Sequence, residues 1–122
     1  MYPPIFQLCK ANADVTVIFG VSPVRIYPFG SAPEDVSTPY AVWRIIGGLP
    51  DSYLSGTPDT DSYLVQIDVY ATSCTGARDG AEAIRDALEP SANVISWRGE
   101  SQDNETKLYN YEFDVNFIVE RG

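Results

Sequence analysis

The segment between Val65 and Leu88 changes its hydrophobic spacing within a few residues. It begins with VQIDVYA, in which apolar and polar residues alternate with the period of a half-buried strand. It continues with CTGARDGAEAIRDAL, in which apolar residues return every three or four positions, as on an amphipathic helix. Ser73 or Thr75 can cap this helix, and Pro90 follows its end. The segment therefore predicts a domain that contains both strands and helices.

Shorter patterns predict the other elements. Pro3 and Pro4 suit the start of a first helix, because proline at the first helical position loses no backbone hydrogen bond. The segment VTVIFG that follows fits either a short helical turn capped by Asp14 or a strand. Strands are predicted at Val24–Phe29, Tyr40–Gly47, Ser62–Ala71, 92–97 and Leu108–Val119, with a long linker at Gly48–Asp61 and a polar turn at 99–105.

The predicted order is helix, three strands, helix and two strands (α-β-β-β-α-β-β). This order fits a single α+β domain over residues 1–122, a mainly antiparallel five-stranded sheet with two helices packed on one face. A chain of 122 residues can bury a sufficient core without disulfides or a metal. Cys9 and Cys74 are therefore predicted to be reduced, buried thiols, and a disulfide between them is the alternative.

The charge balance is acidic. Seventeen Asp and Glu residues stand against eight Lys and Arg, the formal net charge is −9, and the basic residues are scattered singly. Nucleic acids and anionic membrane surfaces are bound by clustered cations, so neither is a predicted partner. The N-terminus lacks the pattern of a secretory signal, and no apolar run reaches the ~18 residues of a membrane span.

Residues that usually carry catalysis are scarce. The chain has no histidine, the commonest general base and metal ligand, and nothing marks an activating base for a Ser, Thr or Cys nucleophile. The segment GARDGAEA lacks the lysine and spacing of a phosphate-binding loop. Asp59 and Asp61 fit ordinary turn chemistry better than a metal site. We therefore predict no enzyme activity, no cofactor and no metal site.

Three acidic residues share the polar side of two predicted strands: Asp68 on one, and Glu112 and Asp114 on the other. They fit either the paired carboxylates of a glycosidase-like cleft or a solvated strand face that keeps the domain soluble. The second interpretation is favoured, because antiparallel sheets commonly leave one face to water.

Apolar residues also occur in the long connection between the second and third strands. Leu49, Tyr53 and Leu54 lie in GGLPDSYLSGTP, where loops normally carry polar residues. They either fold back over the core of their own domain or dock on another subunit or partner.

The order of these motifs resembles a known family. RIYP at Arg25–Pro28, PY before the strand at 39–46, VQIDVYA at Val65–Ala71 and GARDGAEAIRDAL at Gly76–Leu88 look like the tail-completion, or tail-terminator, proteins of long-tailed bacteriophages and related prophage elements. The resemblance covers roughly residues 3 to 90, and the last strands agree in their hydrophobic pattern rather than residue by residue.

The resemblance implies a structural, non-enzymatic role in the virion. Such proteins form a ring, usually a hexamer, that closes the head-proximal end of the tail tube, stops its polymerisation and presents a surface to the head. The implied partners are further copies of the chain, the tail-tube protein and a head-completion or connector protein, after assembly in the bacterial cytoplasm. The alternatives are a head–tail connector or stopper protein of the neck and a small carboxylate-dependent hydrolase or ligand-binding domain.

The acidic strand face gains a hypothetical role from this resemblance. If Asp68, Glu112 and Asp114 line the lumen of the ring, they repel passing DNA, so the genome slides through without specific binding. Subunits of like charge also repel one another, so apolar contacts are expected to hold the ring together.

Overall fold

A computed structural model describes residues 2–51, 57 and 59–121. In this part of the chain three helices and five strands follow one another in the order α-α-β-β-β-α-β-β. Their bounds are α1 Ile5–Lys10, α2 Ala13–Phe19, β1 Ile26–Pro28, β2 Tyr40–Pro50, β3 Thr60–Ala71, α3 Cys74–Leu88, β4 Asn93–Gln102 and β5 Tyr109–Glu120. The α+β class and the five-stranded sheet are confirmed, whereas the prediction of two helices is wrong.

The sheet is mixed: three of its four strand pairings are antiparallel, as the prediction of a mainly antiparallel sheet requires, and one is parallel. Its strand order is β1-β2-β3-β5-β4, and β2 with β3, β3 with β5 and β4 with β5 pair antiparallel. The short strand β1 instead runs parallel to β2, with Ile26 opposite Ala41 and Pro28 opposite Trp43. Parallel neighbours need a long connection, and the loop at 29–39 supplies it by returning the chain to the end from which β1 started.

The ambiguous segment VTVIFG belongs to a helix. The side chain of Asn12, not that of Asp14, caps α2, because its Oδ1 accepts the backbone N–H of Val15 at 3.1 Å. Val15 and Phe19 lie four residues apart, and both are completely buried on the same side of the helix. Burial of this pair and the cap together outweigh the strand preference of the β-branched residues in the segment.

All three helices cover one face of the sheet. Helix α3 begins after Ser73, whose Oγ accepts the backbone N–H of Gly76 at 2.9 Å. The helix lies close to α2 and β3 at Gly80, where an added Cβ would come within 2.9 Å of Phe19 and 3.0 Å of Val69. The core between sheet and helices is aliphatic and aromatic: Ile5, Cys9, Val15, Phe19, Val65, Ile67, Val69, Ile84, Leu88, Phe113, Val115 and Phe117.

Strands β2 and β3 extend well into the predicted linker at 48–61. Beyond a bulge between Ile45 and Gly47, β2 continues to Pro50, and β3 already begins at Thr60. The carboxylate of Asp51 joins the two strand ends, since it accepts the hydroxyl of Thr60 at 2.6 Å and that of Ser62 at 2.9 Å. Both ends of the predicted linker are therefore paired strands, and Tyr53 and Leu54 lie outside the described residues.

Both cysteines are free thiols. Cys9 is completely buried, and its burial raises the pKa of the thiol to about 12. Cys74 is the first residue of α3 and only partly buried, with its Sγ 3.5 Å from a carboxylate oxygen of Glu100. The prediction of unpaired thiols is confirmed, and full burial holds for Cys9 alone. Within the described residues no helix is both long enough and apolar enough to cross a membrane.

Candidate functional site: the open face and edges of the sheet

The face of the sheet opposite the helices is termed the open face. Strand register assigns its central residues, because alternate positions on β2, β3 and β5 point to the same side. They are Tyr40, Val42, Arg44, Gln66, Asp68, Tyr70, Asn110, Glu112 and Asp114. The three predicted acidic residues therefore share one face, as the alternation indicated.

Asp68 and Glu112 form the centre of the open face. They lie directly opposite each other on β3 and β5, and Val42 on β2 completes the row. The pKa of Asp68 is raised, first because the carboxyl group is partly buried and further because the Glu112 carboxylate is near. The amide of Gln66 opposes this shift by donating to both carboxylate oxygens of Asp68 at 3.2 Å. Two carboxyl groups thus meet at this point, and the nearby Arg44 guanidinium opposes the rise in the pKa of Asp68.

The prediction that Asp114 is solvated is wrong, because only 4% of its surface is exposed. Arg98 enters from the bulged edge strand β4 and donates its Nε–H to the Asp114 carboxylate at 2.8 Å. The hydroxyl of Ser96 donates to the same carboxylate at 3.2 Å. Asp114 therefore forms an ion pair with a half-exposed arginine, which ties β4 to β5, and its charge is largely compensated within the chain.

Aromatic and amide groups border the carboxyl pair. The rings of Tyr40 and Tyr70 stack with their centroids 5.0 Å apart. Burial and the nearby Asp68 carboxylate raise the pKa of Tyr70 to about 12, so its hydroxyl stays protonated at neutral pH. Asn110 donates to Glu112 at 3.1 Å, while its own Oδ1 is buried and has no hydrogen-bond partner among the described residues.

The open face is less acidic than the sequence suggested. Arg44 donates to Gln66 at 3.4 Å, and Arg98 pairs with Asp114, so the centre combines three carboxyl groups with two guanidinium groups. With Arg98 paired to Asp114 and Arg44 beside Asp68, one net negative charge is left at the Asp68–Glu112 pair. Among the described residues no three His, Cys, Asp or Glu side chains gather where they could hold a metal ion. Asp61, considered above as a ligand, is ion-paired with Arg121 at 2.8 Å.

The end of the sheet beside the β2–β3 hairpin carries a small apolar surface. Leu49 is 73% exposed and Ile118 is 60% exposed, and both flank Ser62 in one row across β2, β3 and β5. We call Leu49 and Ile118 the hairpin-end pair. Leu49 therefore does not fold back over the core of its own domain, and its docking on another subunit or partner stays a prediction. Ile118 was not predicted, although it breaks the polar series Asn110, Glu112, Asp114 and Asn116 in the sequence.

The two lateral edges of the sheet also expose apolar side chains. Phe29 directly follows the edge strand β1 and is 69% exposed. On the opposite edge strand β4, Ile95 is 58% exposed and Trp97 is 42% exposed. Neither edge was singled out in the sequence, because these residues sit in short apolar runs that look like ordinary core strands.

Trp97 forms one wall of a groove of about 470 Å³ between β4 and α3. The indole packs against Tyr111 and Phe113 at centroid distances of 5.4 and 4.9 Å. The guanidinium carbon of Arg85 lies 5.9 Å from the indole centroid, within reach of a cation–π contact. Arg78 closes the groove through an ion pair with Glu100 at 2.6 Å.

These features describe a small α+β domain with a polar sheet face, two lateral edges and an apolar strand end. The model of the family described as tail completion protein gp17 matches residues 3–120. The chain therefore belongs to this family of bacteriophage tail-completion proteins, which are structural proteins of virion assembly. The resemblance inferred from RIYP, VQIDVYA and GARDGAEAIRDAL is confirmed, and the match extends over the last strands as well.

Solved structures share the fold. A chain in the virion of a native gene transfer agent particle superposes with a TM-score of 0.69 at 14% identity, over 95% of this chain and 91% of that one. The gp17 protein of bacteriophage SPP1 superposes with a TM-score of 0.58 at 12% identity, over 96% of this chain and 86% of that one. Among curated protein sequences no match was found. At these identities the two superpositions show a shared fold.

Proposed function

We propose that this protein assembles into a ring, a hexamer by analogy with the family, that caps the head-proximal end of the phage tail tube. The ring stops polymerisation of the tube and offers a joining surface to the head, and it acts by shape and contact without catalysis. The observation that carries this proposal is the family match over residues 3–120.

Two structural features support assembly with other proteins. The hairpin-end pair, Leu49 and Ile118, lies near the ends of its strands, at one end of the open face, because both flank Ser62, which alternates onto that face with Gln66 and Asp68. Phe29 and Trp97 lie instead on opposite lateral edges. A ring subunit needs both kinds of surface, since it contacts its neighbours around the ring and other proteins above or below. We assign the predicted interface residue Leu49, with the outlying Tyr53 and Leu54, to the axial contact.

We propose that the open face lines the lumen of the ring, with two acidic residues facing the DNA rather than the three that the sequence suggested. The carboxyl groups of Asp68 and Glu112 would repel DNA, whereas the Asp114 carboxylate is ion-paired with Arg98. Changing Asp68 and Glu112 to lysine is expected to leave the fold intact and to slow DNA ejection. The matched control is Asp79→Lys on the exposed surface of α3, which changes charge away from the lumen. Normal ejection from the double variant would contradict the lumen assignment.

A phage carrying a deletion of this gene tests the proposal as a whole. Without a terminator, tails are expected to vary in length and to remain separate from filled heads. Supplying the protein in trans is expected to restore tails of one length that join to heads. Tails of uniform length that join to heads in the absence of the protein would refute the function.

A further inference from the structure

We infer that the groove between α2 and α3 binds a basic segment of another protein, one that presents an apolar side chain between lysine or arginine residues. This groove, termed the helical groove, has a volume of about 330 Å³. Both helices cover the side of the sheet opposite the open face, so the helical groove is separate from the surfaces assigned above to the lumen and to the hairpin end.

The floor of the helical groove is apolar. Val17 and Ile18 of α2 and Ala83 of α3 contribute to its lining. Val17 is 83% exposed, so it adds little to the core of its own domain. The two helices approach closely at Gly80, where an added Cβ would come within 2.9 Å of the buried Phe19. The groove is therefore preformed and can receive an apolar side chain of a partner.

Carboxylates surround this floor. Asp14 on α2 and Asp79, Glu82 and Asp86 on α3 are exposed, and none of the described lining residues is cationic. The three acids of α3 share one side of the helix, because they lie three and four residues apart. Arg85 is ion-paired with this rim, but it is shared between Asp86 at 2.9 Å and Glu82 at 3.5 Å. One guanidinium beside four carboxylates leaves the rim negative.

This charge selects the class of partner. Nucleic acids and anionic membrane surfaces are repelled. A second copy is a poor occupant, because the chain has a net charge of −9 and four of its eight basic residues are already ion-paired: Arg78, Arg85, Arg98 and Arg121. The rim acids also stand apart, since no three acidic side chains of the described residues gather where they could hold one metal ion. Separate acids around an apolar floor match separate cationic side chains around an apolar one.

Titration of the full-length protein with synthetic peptides tests this chemistry. One peptide of Leu, Ala and Lys presents leucines between lysines, a second has Ser in place of Leu, and a third has Glu in place of Lys. The first is expected to bind, to shift the backbone amide resonances of Val17 and Ala83 most, and to bind less tightly as salt is added. Equal binding of the first two peptides, or shifts centred on Asp68 and Glu112 of the open face, would overturn the inference.

A matched pair of variants tests the apolar floor. Val17→Ser is expected to weaken binding of the Leu–Lys peptide about three- to tenfold, because it removes apolar surface that the leucine covers. Leu49→Ser removes a similarly exposed apolar side chain from the hairpin end and should leave the affinity unchanged. Equal loss from both variants, or no loss from Val17→Ser, would count against the groove.

A second matched pair tests the rim. Asp14→Asn combined with Asp79→Asn is expected to weaken binding about threefold or more, measured at about 0.15 M salt, where charges farther apart than about 8 Å are largely screened. Glu34→Gln combined with Asp35→Asn removes the same charge from the exposed loop before β2 and should change the affinity little. Similar losses from the two double variants would show that the peptide responds to net charge alone, which would refute the inference.

The outcomes separate the helical groove from the proposed function. If the peptide binds the groove but the protein fails to stop tube growth, the groove stands and the tail-capping proposal fails. If the protein stops tube growth but the Leu–Lys peptide does not bind, the capping role stands and the groove assignment is wrong.

Discussion

Replacing Asp68 by asparagine is expected to stabilise the fold at neutral pH. Asp68 and Glu112 lie directly opposite on β3 and β5, and like charges in such a pair are destabilising. Asparagine keeps the size of the side chain and turns the repulsion into an amide–carboxylate hydrogen bond. Cross-strand pair energies of roughly 0.2–1 kcal/mol set the expected gain in the free energy of unfolding. For a domain of this size, that gain raises the Tm by up to about 4 °C.

The effect of this substitution depends on pH in a defined direction. Because the folded state raises the pKa of Asp68, the wild-type protein binds this proton more tightly when folded, and it loses the corresponding stability as pH rises through the folded-state pKa. The advantage of the asparagine variant is therefore full at pH 7 and disappears below the usual Asp pKa of about 3.9. Thermal unfolding of both proteins across this pH range measures it.

Two controls isolate the carboxyl pair. Glu112→Gln is expected to stabilise the fold in the same way. The double variant should gain less free energy of unfolding than the sum of the two single variants, because each single change already removes the same repulsion. Asp79→Asn, on the exposed surface of α3, should change the stability little. A destabilised Asp68→Asn variant at pH 7, or a gain that persists unchanged at low pH, would refute the reasoning.

Three further outcomes are expected. Gly80→Ala should lower the free energy of unfolding by about 1–2 kcal/mol in denaturant titrations, because crowding against the buried Phe19 and Val69 outweighs the helix propensity of alanine; a stabilised variant would contradict the packing. Ser73→Ala should cost about 1 kcal/mol through loss of the cap bond to Gly76, and an unchanged Tm would contradict it. Sedimentation should reveal monomers or weak rings at low salt that tighten as salt screens the net charge of −9, and rings that loosen with salt would contradict that balance.

The sequence predicted best the elements whose burial follows a simple period. Phe113, Val115 and Phe117 on β5 are buried as their alternation indicated, and so are Val65 and Val69 on β3. In α3 the apolar stripe and the Ser73 cap also agree with the structure. In these segments local pattern and tertiary burial point the same way, so the local pattern is sufficient.

Elements decided by distant parts of the chain were not predictable in the same way. The parallel alignment of β1 depends on the course of the 29–39 loop, which has no periodic pattern. The strand β4 runs to Gln102, through polar residues that looked like a turn, because its pairing with Tyr109 on β5 determines where it ends. The helical state of VTVIFG depends on burial of Phe19 beneath α3, a contact between distant segments.

The candidate site shows the same contrast between residues placed by strand period and residues placed by contacts with distant parts of the chain. Alternation correctly placed Asp68, Glu112 and Asp114 on one face, because it depends only on strand period. It could not predict that Asp114 is buried, since Arg98 reaches it from a bulge in β4. The exposed positions of Ile95 and Trp97 likewise follow from the place of β4 at the edge of the sheet, which only the strand order reveals.

The most direct test of the tail-capping role follows the length of tail tubes by electron microscopy. Tube subunits polymerise alone or with this protein added after growth has begun. The added protein is expected to bind one end of each tube, and the mean length then stops increasing. Tubes that continue to lengthen at the same rate, with no density added at either end, would contradict it.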